Sequence, residues 1–130
     1  MRFEKSDHPS ILLVEDDIVN QKVAKEMLRH LGFRPDLAAN GLEAIQALKD
    51  QRHDIILMDI QMPKMNGLEA TKAIRANFPP DEQPHIIAVT AYAMTYDREK
   101  CISAGMDDYL SKPITLEGLK EIISRYSRPE

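Results

Sequence analysis

Apolar positions along the chain follow two rhythms. Continuous runs at Ile11 to Val14, Ile55 to Met58 and Ile86 to Val89, with a shorter pair at Tyr109 and Leu110, lack polar alternation and predict strands covered on both faces. A weaker extended stretch spans Phe33 to Ala38. Between the runs, apolar residues recur every three or four positions. Val19, Val23 and Met27, with Ala24, Leu28 and Leu31 beside them, predict one stripe on a first helix closed by Gly32. A second helix opens at Asn40, with Glu43 placed as in a capping box, and carries Leu42, Ile45 and Leu48. The third starts near Gly67, bears Leu68, Thr71 and Ile74, and cannot pass Pro79-Pro80. A short fourth covers about Asp97 to Ala104 and ends at Gly105. The fifth follows Thr115 as N-cap and puts Leu116, Leu119, Ile122, Ile123 and Tyr126 on one side, weakened slightly by Gly118.

Five strand-helix alternations predict a doubly wound α/β domain, an open parallel sheet with right-handed crossovers and helices on both faces. With 130 residues, 43% of them hydrophobic, there is material for one core and not for two. We expect short tails at residues 1–9 and 127–130 around a single domain over 10–126. A net charge of −4 without long one-signed blocks lacks the basic footprint of a nucleic-acid binder. The lone Cys101 cannot form an internal bridge. The opening MRFEKSDHPS has no signal-peptide core, and no apolar run approaches the roughly 20 residues that span a bilayer. A cytoplasmic protein without membrane insertion is the expectation.

In such sheets ligands sit beyond the carboxyl ends of the strands. There this chain places Glu15, Asp16 and Asp17 after the first run, Asp59 after the Ile55 run, Thr90 after the next, and Lys112-Pro113 after the last. Taken singly, each has a plain explanation. Asp17 suits a helix cap, Thr90 a turn and Lys112 a solvated side chain, while Met58, Met62 and Met65 suit core filling. Together they form a cluster that core packing does not require. Two carboxylates about 5 Å apart repel by roughly 3 kcal/mol at an effective dielectric of about 20, so three need a cation. Few oxygen ligands, partly exposed, suit Mg²⁺, and the scattered His8, His30, His53 and His85 offer no zinc spacing. A divalent ion, a lysine and a hydroxyl around a carboxylate equip it for phosphoryl transfer, with Asp59 as nucleophile.

At this point ILLVEDD, ILMDIQMPKMNG, AVTAYA and DDYLSKPI, in order and spacing, resemble the receiver domain of two-component response regulators from Ser10 to about Tyr126. The resemblance implies a flavodoxin-like (βα)5 fold with strand order 2-1-3-4-5. It implies that Asp59 takes a phosphoryl group from a phosphohistidine on a sensor histidine kinase or a histidine phosphotransfer protein. Asp16, Asp59 and the backbone carbonyl of Gln61 would bind Mg²⁺, with Glu15 helping through water. Lys112 would hold one phosphoryl oxygen, Thr90 would bond another after transfer, and Tyr109 would turn inward, altering the face formed by the fourth helix, fifth strand and fifth helix. It further implies a cis Lys112-Pro113 bond. Such a domain is not a conventional enzyme, although it catalyses its own phosphorylation and dephosphorylation. Its downstream target would be a protein, and it would be a monomer or a weak phosphorylation-dependent dimer. Asn66 stands where the pattern often has Asp. Gln61 and Tyr92 would tune attack by water, and the small Ala91 would leave a path for the donor. EDDIVNQKVAKEML and YDREKCISAGMDDYLSKPI are similar to receivers attached to hybrid sensor histidine kinases.

Three alternatives fit less well. A phosphohydrolase with an aspartyl-phosphate intermediate needs a second acid near the nucleophile, where Ile60 and Gln61 follow Asp59. A flavin-mononucleotide module would want backbone amides where the first loop is acidic. A receiver-like interaction module without phosphorylation would not need every motif residue.

Overall fold

The computed structural model describes residues 9–60, 65–91 and 95–126. Five strands, β1 (Ile11–Val14), β2 (Asp36–Ala38), β3 (Ile55–Asp59), β4 (His85–Thr90) and β5 (Asp108–Ser111), alternate with five helices. These are α1 (Ile18–His30), α2 (Gly41–Asp50), α3 (Gly67–Asn77), α4 (Thr95–Ala104) and α5 (Leu116–Tyr126), with a 3-10 turn at Pro80–Glu82 before β4. All strand pairs are parallel, in the order β2-β1-β3-β4-β5. This is the doubly wound sheet the apolar runs predict.

Successive strand residues point to opposite faces, and each face has its own core. Leu12, Val14, Ile56, Met58, Ile86 and Ala88 pack beneath α2, α3 and α4, together with Ala44, Ala70, Ile74 and Cys101. Ile11, Leu13, Ile55, Leu57, Ile87 and Val89 pack beneath α1 and α5, with Leu28, Leu119 and Ile122. Burying each large aliphatic side chain stabilises the fold by roughly 1.5–3 kcal/mol. In β1 and β3 the run is therefore apolar up to the carboxyl end, where Glu15 follows one strand and Asp59 closes the other.

Three local expectations need correction. In α1 the buried residues are Ala24 and Leu28, flanked by Met27 and Leu31, whereas Val19 is 67% and Val23 49% exposed. The seam runs along Ala24, Leu28 and Leu31; Val23 lies about 100° and Val19 about 150° around the helix from it. In α2 the seam is Gly41, Ala44 and Leu48, so Leu42 is exposed; in α5 Leu116 is likewise outside the buried set. The extended stretch shrinks to β2, because Gly32 (φ 99°) and Phe33, whose N–H donates to the Leu28 carbonyl at 2.8 Å, finish α1 instead. The expected caps are present. Glu43 N–H donates to Asn40 Oδ1 at 2.9 Å, although the returning Glu43 carboxylate accepts from Ala39 N–H, and Gly118 N–H donates to Thr115 Oγ1 at 3.0 Å.

Candidate functional site

β1 and β3 lie side by side at the centre of the sheet and deliver acids to one mouth. Glu15 follows β1 directly and is buried, its N–H donating to the Ala38 carbonyl at 3.0 Å. Asp59 ends β3 and is 4% exposed. Asp16 is exposed at the rim, and one carboxylate oxygen from each of Glu15, Asp16 and Asp59 lies within 4.8 Å of the others. Asp17 belongs to the helix instead. It is the N-cap of α1, accepting from Val19 N–H at 3.0 Å and from Asn20 Nδ2 at 3.1 Å.

The other wall comes from β4 and β5. Thr90 ends β4 and is buried, and its carbonyl accepts from Lys112 N–H at 2.9 Å. That bond ties the Lys112 backbone to the end of β4, and the Lys112-Pro113 peptide is cis. Its ammonium stands 3.4 Å from Asp59 Oδ1 and 3.5 Å from Glu15 Oε1. Between these walls is a cavity of about 280 Å³, which Asn20 and Ala91 also line. Sequence reasoning did not single out Asn20; its one signal is a polar residue four positions after Asp16, on the first turn of α1.

Three carboxylates face one ammonium, and the imbalance is visible in Glu15. Burial, and then the neighbouring Asp59 charge, push its carboxyl up to about 7, against the opposing pull of the Asp17 N–H and Lys112. Such a pocket is short of positive charge.

Behind Asp59 the turn into α3 is tight. Asn66 and Glu69 form a full capping box, Gly67 N–H donates to the Ile60 carbonyl at 2.9 Å, and a Cβ on Gly67 would lie 2.5 Å from the Asp59 carbonyl oxygen. Only glycine allows this approach. Asn66 thus serves the helix start and not the pocket. Tyr109 stands outside the cavity on β5, opposite Ala88 and half-buried. Gln61, Met62 and Tyr92 lie outside the described residues.

A family model described as the response regulator receiver domain matches residues 11–124. The chain belongs to the response regulator receiver family. Among its relatives, probable histidine kinase 1 of Oryza sativa subsp. indica is 39% identical over 96% of this receiver, and the polar-differentiation response regulator DivK of Brucella anthropi is 40% identical over 90%. The receiver covers 94% of the latter but only 3 to 16% of the length of the first matching histidine kinases. Among solved structures, the receiver domain of a Pseudomonas aeruginosa sensor histidine kinase, with magnesium coordinated in its active-site cleft, is 46% identical. The match has a TM-score of 0.83 and covers 92% of this chain and 97% of that one. The Saccharomyces cerevisiae receiver domain of Ssk1, co-crystallised with the histidine phosphotransfer protein Ypd1, is 33% identical with a TM-score of 0.81, covering 92% and 90%.

Proposed function

We propose that this receiver accepts a phosphoryl group on Asp59 from a phosphohistidine of a partner protein. The observation that carries the reading is a buried Asp59 at the mouth of the sheet, with the Lys112 ammonium 3.4 Å from its Oδ1 and two further carboxylates beside it. An Asp59 oxygen attacks phosphorus in line. The phosphorus–nitrogen bond of the donor breaks, its electron pair stays on the imidazole, and an acyl phosphate forms. Lys112 holds one phosphoryl oxygen, and Thr90 donates its hydroxyl to another once the group is attached. Later attack by water restores the carboxylate and frees inorganic phosphate, so the protein catalyses both arrival and loss of its own modification.

The donor set also fits a hard divalent cation. Three carboxylates crowd one lysine, and Glu15 is pushed up to about 7 without further positive charge. Asp16 and Asp59 would hold Mg²⁺ directly, Glu15 through water, and the Gln61 carbonyl would complete the protein ligands. When bound, the ion neutralises charge on the transferring group. The partner's approach is supported by exposed Ile18, Val19 and Val23 on α1 beside the cavity and by the small Ala91 at its edge. Phosphorylation then alters the face of α4, β5 and α5 through Thr90 and Tyr109. Likeness to histidine kinases supports an origin as one module of a hybrid kinase, while the match along nearly all of DivK supports a free-standing regulator equally well. A phosphoryl donor charged by a kinase, and a sequence whose single cysteine cannot close an internal disulfide, suit the cytoplasm.

Incubation with acetyl phosphate and Mg²⁺, followed by intact mass in mild acid, tests the reading. The expected result is gain of one phosphoryl group, lost with EDTA and in Asp59→Ala; an unmodified wild-type chain would overturn it.

A further inference from the structure

β4 and β5 hold an arrangement that the pocket alone does not explain. Ile86 and Ala88 point to the α3/α4 face, so alternation places Thr90 on that same face at the end of β4. Tyr109 lies directly opposite Ala88, and Ser111 opposite Thr90. Since Ala88 is small, no bulky side chain of β4 occupies the place next to the Tyr109 ring, one pleat below Thr90. Tyr109 packs partly into this core, and over its ring stands the guanidinium of Arg98 from α4, 4.8 Å from the ring centroid.

Among the described side chains of α4, the buried ones, Cys101 and Ala104, are small and lie in its C-terminal half. Arg75 anchors the turn that ends the helix, its Nε donating to the Gly105 carbonyl at 2.8 Å and its Nη2 to Asp107 Oδ2 at 2.9 Å. One end of α4 is therefore pinned by a hydrogen-bonded arginine from α3. Nearer the other end, its contact with β5 includes a cation over an aromatic face, an attraction that depends on where the ring lies.

We infer that Arg98 is a positioning residue that latches Tyr109, and through it α4, in the arrangement of the unphosphorylated receiver. The inference rests on the phosphoacceptor reading of Asp59. Any rearrangement in which Thr90 moves to a phosphoryl group and the Tyr109 ring follows must take the ring from beneath Arg98. The contact exists in one state and is lost in the other, which is what a residue needs to set the balance between them. A cation–π contact at an exposed site shifts such a balance about two- to fivefold. By linkage, loss of Arg98 tightens whatever ligand favours the second state by the same factor. Arg98 is exposed, so its removal leaves both cores intact.

The probe is beryllofluoride with Mg²⁺, a stable mimic of the phosphoryl group, titrated into wild type, Arg98→Ala, Arg98→Lys, Tyr109→Leu and the Arg98→Ala/Tyr109→Leu double variant. Arg98→Ala is expected to lower the half-saturating concentration about two- to fivefold, Arg98→Lys to stay nearer wild type, and Arg98→Ala to have no effect once Tyr109 is leucine. Unchanged or weaker binding in Arg98→Ala, or an equal effect in the Tyr109→Leu background, would overturn the latch. Wild type that binds no beryllofluoride and takes no phosphoryl group from acetyl phosphate would instead overturn the reading of Asp59, and the latch with it.

Discussion

Glu15 is an acid whose burial works against its charge, and this gives the metal-free protein a distinctive response to pH. Its carboxyl stays protonated in the folded state up to about 7, compared with an ordinary value of 4.5. Between those values the folded protein holds a proton that the unfolded chain has released, so this group's contribution to stability falls as pH rises from about 4.5 to about 7. Glu15→Gln cannot ionise and escapes the fall. In EDTA its melting temperature should gain on wild type by about 10 °C across that range; a constant difference would contradict the assignment. Asp16 acts at the same cluster from the rim. Asp16→Asn relieves repulsion but removes a proposed ligand, so in EDTA it should melt about 1–3 °C above wild type and gain nothing from added Mg²⁺. A variant that melts lower, or still gains from the metal, would be evidence against this. The pocket residues were legible in the sequence because their chemistry is odd for a core: acids, a hydroxyl and a lysine directly follow apolar runs. Arg98 was not legible. Nothing in the spacing of an arginine and a tyrosine eleven residues apart signals that a helix will lay one over the other.

Elements that were legible are those whose whole pattern agrees. The three long apolar runs became β1, β3 and β4 within a residue or so, and Asn40, Thr115 and Gly32 mark helix ends as their chemistry predicts. Helix faces were less so, because Val19 and Val23 satisfy the helical period while lying outside the seam of Ala24 and Leu28. Periodicity finds a helix, but a small alanine can mark its buried side as well as a valine can. The turn from β3 into α3 carries the strictest requirement at this scale. A methyl group on Gly67 would meet the Asp59 carbonyl oxygen at 2.5 Å and the Ile60 Cα at 2.9 Å, and neither backbone group can swing aside. Gly67→Ala should cost about 1–3 kcal/mol in urea unfolding and slow phosphoryl uptake by displacing Asp59. Stability within about 0.5 kcal/mol of wild type, the usual range for surface substitutions, would show that the turn relaxes.

Across the whole molecule, the order β2-β1-β3-β4-β5 converts separated motifs into one site. Glu15 and Asp59 meet because β1 and β3 are neighbours, and Thr90 and Lys112 meet because β4 and β5 are. Residues 15, 59, 90 and 112 thus converge although nearly a hundred positions separate the first from the last. Apolar runs predict strands and parallel crossovers but do not rank the strands; the order followed from the resemblance of the four motifs. The same topology packs α4 against β5, the strand that Lys112 follows, so charge added at Asp59 has a short route to an outer face. On the proposed function, Asp59 is the residue that carries the phosphoryl group. That role is tested most directly by treating the acetyl-phosphate-labelled protein with borohydride, which reduces an acyl phosphate to an alcohol, and mapping the peptides by mass. The reduced side chain is expected at position 59 alone, whereas reduction at Glu15 or Asp16, or none in labelled protein, would contradict the phosphoacceptor role of Asp59.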